Sequence, residues 1–326
     1  MDKKKPRSGV IFYLVVLGLV LMVLYSGLRI LESTVFLKDR GAEATITSRT
    51  IVRDGVSYYP RQDITVVMLV GIDQFGEMID SGSYNNSGAA DMVALLIFDE
   101  TNQETRILCL NRDTMMEIPV LGIGGKQAGS IYAQLALSHT YGSGLEDSSE
   151  NTKKAVSDFL YGLTIDYYVT INMDAIKLLN DAVGGVTVTV TEDFSAVDGS
   201  LPMGEVTLTG EQAINYVRSR YGVGDQLNVS RMERQQEYMY GFMDALSDHQ
   251  DSVTFAMTAY EEVSPYMVTD CSSTVANSLI QRFGDYPIVE IISPEGENVM
   301  ADYYQFYADE EELDALILRL FYAPKK

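Results

Sequence analysis

Four arginines, Arg218, Arg220, Arg231 and Arg234, fall within seventeen residues of a 326-residue chain whose formal net charge is −22. Guanidinium groups gathered against such a background point to a bound anion. The stretch "TGEQAINYVRSR" opens with Thr209 and places Gln212 three residues on, the capping box that starts a helix. Arg218 and Arg220 fall at or just past its end, and in extended chain a spacing of two turns both to the same side. Ser230 and Glu233 form a second such pair, which predicts a helix starting at Ser230 with Arg231 in its first turn and Met232 and Met239 on its apolar face. That end of a helix is already positive, so an arginine there is favourable when an anion sits beside it. Arg231, Gln235 and Tyr238 share one face, so Gln235 is expected to donate to the same ligand while Arg234 points partly aside. Paired guanidinium groups and helix-end N–H groups suit a phosphate or pyrophosphate. Asp225, between the two arginine pairs, is placed to orient Arg218 or Arg220. The alternative for any single arginine is ordinary pairing with a surface carboxylate.

Two aspartates supply the complementary chemistry. Asp73 ends the apolar run "ITVVMLVGID" and Asp91 opens "DMVALLIFD", so adjacent antiparallel strands would bring them to one end of a sheet. Paired hard oxygen ligands beside a pyrophosphate suit Mg²⁺ (or Mn²⁺). Two loop caps fit the same spacing. With His139 and His249 the only histidines, Ser-His and Cys-His nucleophile pairs are hard to assemble. There is no G-x-S-x-G elbow and no P-loop. Cys109 lies in the apolar "RILCLN" and Cys271 in the polar "TDCSST"; nothing pairs them, and Cys109 is expected as a buried free thiol.

These side chains need a frame. Residues 64–73 read as a buried central strand, 76–88 as a Gly/Ser/Asn loop, and 91–110 as two strands joined by a turn at 100–103, with Arg112 just beyond. "SENTKKAVSDFLYGLT" has helical spacing and stops at Gly162. "IDYYVTINMDAIKLLNDAVGGVTVTVTEDF" gives strand, helix and strand, with Gly184 and Gly185 as the stop between the last two. Strands alternating with helices imply an α/β sandwich around one sheet. "DEEELDALILRLFY" closes the chain as an amphipathic helix.

A hydrophobic content of 46% excludes the disordered class. Lys3, Lys4, Lys5 and Arg7 precede an uncharged apolar run over residues 10–28, long enough for a bilayer core. A cleavable signal peptide is the alternative, but the run exceeds a usual signal core and the cleavage pattern after it is poor. Residues 1–9 are therefore expected in the cytoplasm, 10–30 as a transmembrane helix, 31–62 as a short helix or stalk, and 63–326 as an extracytoplasmic domain. Its acidity disfavours nucleic acid and anionic headgroups, so any anion must bind at the arginine cluster.

"VGID" at Val70, "DMVALL" at Asp91, "LNRDT" at Leu110, "IDYYVTIN" at Ile165, "AVGGVTVTV" at Ala182, "LTGEQAINYVRSR" at Leu208 and "RMERQQ" at Arg231 fall in order. Over residues 64–246 this pattern resembles the LytR-CpsA-Psr family. The resemblance implies an α/β/α sandwich with a central mixed sheet and a deep apolar pocket for a polyprenyl chain. It implies transfer of a glycopolymer, of teichoic acid or capsular polysaccharide type, from a polyprenyl-pyrophosphate carrier to peptidoglycan in a Gram-positive type of envelope. Asp73 and Asp91 would bind Mg²⁺; Arg112, Arg218, Arg220 and Arg231 would hold the pyrophosphate, with Asp225 and Gln235 supporting. Asp91, Arg112 and Arg220 would carry catalysis, with Asp91 or a nearby carboxylate taking the acceptor's proton. Three positions depart from the family pattern: Ala89 stands where an arginine is usual, and Gln134 and Ala136 where a lysine and an asparagine are usual, with Lys126 near enough in sequence to substitute for the lysine. A non-catalytic polyprenyl-pyrophosphate binder is the alternative that these departures raise.

Overall fold

The computed structural model describes residues 50–324 apart from 54, 84, 123–124, 227, 248–252, 273–274, 276–277, 280–281 and 284–285. The expected membrane span at 10–30 and His249 lie outside the described residues. Where a short helix or stalk was expected over 31–62, residues 51–60 instead form two short strands, β1 (Ile51–Arg53) and β2 (Val56–Pro60). Both are explained by a distant partner: β2 pairs antiparallel with β15 (Tyr322–Pro324) at the far end of the sequence.

The next strands build the frame: β3 (Ile64–Ile72), β4 (Ala90–Asp99), β5 (Glu104–Leu110), β6 (Met115–Leu121) and β7 (Gln127–Gln134). Then follow α1 (Glu146–Phe159), β8 (Tyr167–Ile171), α2 (Met173–Ala182), β9 (Val186–Val190), β10 (Gly204–Leu208), α3 (Gly210–Arg218), α4 (Asn228–Ser247) and α5 (Val253–Val263). The chain closes with β11 (Met267–Thr269), β12 (Ile288–Ile292), β13 (Gly296–Met300), β14 (Tyr304–Ala308) and α6 (Glu310–Phe321) before β15.

The central sheet has six strands in the order β11-β8-β3-β4-β5-β12. It is mixed, because β3 pairs parallel with β8 but antiparallel with β4, and β5 pairs parallel with β12. Alternating residues of β3 bury themselves on opposite faces, as a pleated strand between two layers requires. Val66, Met68 and Val70 meet Ala155 and Val156 of α1 and Leu316, Ile317 and Leu320 of α6, while Val67 joins Leu96, Cys109, Met232 of α4, Cys271 and Phe283. Helices thus cover both faces of one sheet. Cys109 and Cys271 are free thiols in this second cluster, and burial pushes both up to about 12.

Local signals act as read from sequence in several places. The turn between β4 and β5 spans 100–103, and α1 ends before Gly162. Gly184 and Gly185, with φ of 81° and 100°, end α2 in a conformation that β-carbons resist. The Thr209–Gln212 capping box forms in full at the start of α3, and Asp309 caps α6. Among the described residues no helix is long and apolar enough to cross a membrane.

Candidate active site

The antiparallel register of β3 and β4 sets Ile72 opposite Ala90, and the Asp73 N–H donates to the Ala89 carbonyl at 3.2 Å. Asp73 and Asp91 therefore stand at the same end of the sheet, as their sequence positions suggested. β5, whose Leu110 lies opposite Val93, delivers Asn111, Arg112 and Asp113 to that end. The end of α3 and the start of α4 bring the other arginines over it.

Each arginine finds a carboxylate. Arg218 makes a two-pronged contact with Asp73, at 2.5 and 3.1 Å. Asp91 is held on both oxygens, Oδ1 by Arg112 and Oδ2 by Arg231 at 3.0 Å. Arg220 lies 3.2 Å from Asp113, packs 4.3 Å over the Tyr304 ring, and donates through Nε to the Gln226 carbonyl at 3.0 Å. Four guanidinium groups thus face three carboxylates. The third, Asp113, was not singled out in the sequence, although it sits beside Arg112. Burial raises its pKa above the usual aspartate value, against the pull of Arg220, Arg112 and Arg231.

The pairing is incomplete. Among the described residues, the buried side-chain atoms without a hydrogen-bond partner include Asn111 Nδ2, Arg112 Nε, Asp113 Oδ2, Arg220 Nη2 and Arg231 Nε. Such atoms are uncommon in native proteins, and four donors of this kind in one place describe a site prepared for an anion.

Two expectations need correction. The helix carrying Arg231 begins at Asn228, so Ser230 lies inside it, and its hydroxyl donates instead to Asp225 at 2.7 Å. Gln235 does not offer its amide to the site; Nε2 donates to the Val217 carbonyl at 3.0 Å. Arg234 does the same kind of work, donating to the carbonyls of Tyr216 and Ser219 and pairing with Glu192. A cation and an amide from α4 thereby satisfy the open carbonyls at the end of α3 and fix the turn that carries Arg218 and Arg220. Asp225 is placed near this turn by its bond to Ser230.

A divalent cation fits the donor set. Each oxygen of Asp73 and Asp91 accepts one guanidinium N–H and keeps a lone pair. Among the described residues no group of three or more His, Cys, Asp or Glu could hold a metal.

A model of the LytR_cpsA_psr family matches residues 35–320. The chain belongs to the LytR-CpsA-Psr family. A polyisoprenyl-teichoic acid–peptidoglycan teichoic acid transferase, TagU of Oceanobacillus iheyensis, is 24% identical over 78% of this chain and 74% of its own length. TagU of Enterococcus faecalis is 30% identical over 63% of this chain and 61% of its own length. Among solved structures, Bacillus subtilis TagV superposes with a TM-score of 0.60 at 22% identity, over 80% of this chain and 96% of that one. TagT bound to LIIa-WTA superposes at 0.59 with 25% identity, over 79% and 90%.

Within the LytR-CpsA-Psr fold, the departures at Ala89 and Gln134 have different consequences. Ala89 contributes only its backbone carbonyl, to Asp73. Gln134 still reaches the site, donating to Asp113 Oδ1 at 2.9 Å and to the Tyr304 carbonyl at 2.7 Å. Lys126 is no substitute: Gln127 pairs with Leu121 at one end of the β6–β7 hairpin and Gln134 with Met115 at the other. From Gln127, next to Lys126, the strand rises over seven residues to Gln134, roughly 23 Å. His139 is wholly buried and bonds through Nδ1 to the Gly88 carbonyl at 2.8 Å, supporting the loop between Asp73 and Asp91.

Proposed function

We propose that this LytR-CpsA-Psr protein transfers a cell-wall glycopolymer of teichoic acid or capsular type from a polyprenyl-pyrophosphate carrier to peptidoglycan. The observation that carries this reading is the set of unpartnered, buried guanidinium N–H groups of Arg112, Arg220 and Arg231. They sit where an anion can replace part of their contact with Asp91 and Asp113. Arg218, half exposed at the rim over Asp73, closes the cluster on the outer side.

In this reading Arg112, Arg218, Arg220 and Arg231 bind the pyrophosphate, and Asp73 and Asp91 hold Mg²⁺ or Mn²⁺. The cation, when bound, polarises the phosphoryl oxygens and neutralises charge on the leaving group. The acceptor sugar hydroxyl bonds to the phosphorus that carries the polymer, and polyprenyl phosphate departs with the bridging electron pair. Charge developing on that phosphate meets the arginines, a preorganised electrostatic stabilisation. Both oxygens of Asp91 accept guanidinium hydrogen bonds, whereas Asp113 Oδ2 accepts none, facing Arg220 only as an ion pair at 3.2 Å, and Asp113 has a raised pKa. Asp113 is therefore the better carboxylate to take the hydroxyl proton. Arg234, Gln235 and Asp225 position the arginines without touching the ligand.

Residues 10–30 anchor the chain in the cell membrane with residues 1–9 in the cytoplasm and the domain outside. This places the site beside the carrier lipid. Replacing Asp73 with Ala separates transfer from binding alone. Loss of polymer attachment to the wall in cells carrying the variant supports transfer, and attachment at wild-type level leaves only a lipid-pyrophosphate binder.

A further inference from the structure

The β6–β7 hairpin, the end of α1 and the start of α6 border a cleft of about 530 Å³. Tyr132, Tyr161 and Tyr307 line it together with the carboxylates of Glu117, Asp158 and Glu310, and no described lysine or arginine does so. Asp158 pairs with Lys154 along the surface of α1 at 2.7 Å. The Tyr132 hydroxyl is pushed above its ordinary pKa, first by burial and then by Tyr307, Glu117 and Glu310, so these groups surround one space. Tyr161 holds a left-handed backbone, φ 61°, that a bulky side chain seldom adopts.

The cleft adjoins the arginine cluster on three strands. Asp113 stands two residues before Met115, Gln134 two residues after Tyr132, and Tyr304 three residues before Tyr307. Asp113, Gln134 and Tyr304 contact one another or Arg220, while Met115, Tyr132 and Tyr307 line the cleft. At the rise of a strand these offsets amount to about 7–10 Å.

We infer that this cleft is the acceptor-saccharide subsite of the transfer proposed above, on which the assignment rests. Tyrosine rings offer apolar faces to the C–H side of a pyranose, and ionised carboxylates can only accept the hydrogen bonds that sugar hydroxyls donate. The same carboxylates repel a phosphate-bearing polymer. The donor therefore belongs to the arginines, and the acidic cleft to an uncharged or amine-bearing saccharide.

The test uses the purified full-length chain in detergent and two probes, uncharged N-acetylglucosamine oligosaccharide fragments that stand for the glycan strand and geranylgeranyl pyrophosphate, titrated by calorimetry. The glycan Kd should rise at least tenfold in a Tyr132→Ala/Tyr307→Ala double variant and at least threefold in Glu117→Gln. The pyrophosphate Kd should stay within twofold in both, which also reports that each variant is folded. Glycan fragments that bind the variants as they bind the wild type, or that fail to bind the wild type, overturn the assignment. Tyrosine-dependent glycan binding without any pyrophosphate binding would instead overturn the transfer reading and leave the cleft a saccharide site.

Discussion

Arg231 reaches Asp91 at 3.0 Å with both side chains almost fully buried, 3% and 5% exposed. Asp91 spends its other oxygen on Arg112, so one carboxylate clamps two guanidinium groups while the Nε of each has no partner. The aspartate thereby holds both guanidinium groups in place.

Removing one partner of such a buried pair leaves an uncompensated charge. Arg231→Ala should lower unfolding free energy by about 3–5 kcal/mol, measured by urea denaturation at neutral pH. A loss within 0.5 kcal/mol, about the effect of an ordinary surface substitution, would mean that Asp91 is not desolvated as the geometry requires.

Arg234 acts through the turn it holds. Arg234→Ala should weaken geranylgeranyl pyrophosphate binding roughly tenfold, about 1.4 kcal/mol, although its own guanidinium is committed to Tyr216, Ser219 and Glu192. Faster hydrogen exchange at residues 216–219 should accompany the loss. Weaker binding with unchanged exchange there would contradict a positioning role.

Asp113 has a raised pKa, so proton transfer to it should switch on as pH rises through that value. Its folding contribution runs the other way: it is complete below the unfolded pKa and lost as pH rises through the folded one. Gln134→Lys would put an ammonium where an amide now donates at 2.9 Å, moving the acid limb of the transfer rate downward by roughly one pH unit or more. An acid limb that stays in place would remove Asp113 as the proton acceptor.

His139 is held neutral by burial, which lowers its pKa from 6.5 to about 4. Its stabilisation is therefore complete above the unfolded value and lost as pH falls, with about 3 kcal/mol at stake across that window. Urea unfolding of wild type and His139→Asn between pH 7.5 and 4, both of which share the titrations of all other groups, should differ in slope within it. Parallel curves would contradict the assignment.

The sequence made the arginines, Asp73 and Asp91, and the central strands legible because each carried a local signal: a capping box, an apolar β-branched run, or a charge at its end. Asp113 carried none. A charged residue in a turn becomes buried only when Arg220 arrives from more than a hundred positions away. Ser230 and Glu233 satisfied the capping pattern, yet the helix had already begun at Asn228. Gln235 lay on the expected face of that helix, but the open carbonyls at the end of α3 claimed its amide. Residues 51–60 read as a stalk because short strands show little pattern until β15 pairs with them.

The central claim is that the arginine cluster holds a polyprenyl pyrophosphate. It is tested most directly by ³¹P NMR and mass spectrometry of lipid co-purifying with the full-length protein, beside an Arg218→Ala/Arg220→Ala double variant. A polyprenyl phosphate or pyrophosphate present with the wild type and absent from the variant is the expected result. No such lipid, and no binding when geranylgeranyl pyrophosphate is added, would contradict the claim and return the four arginines to the carboxylates they already touch.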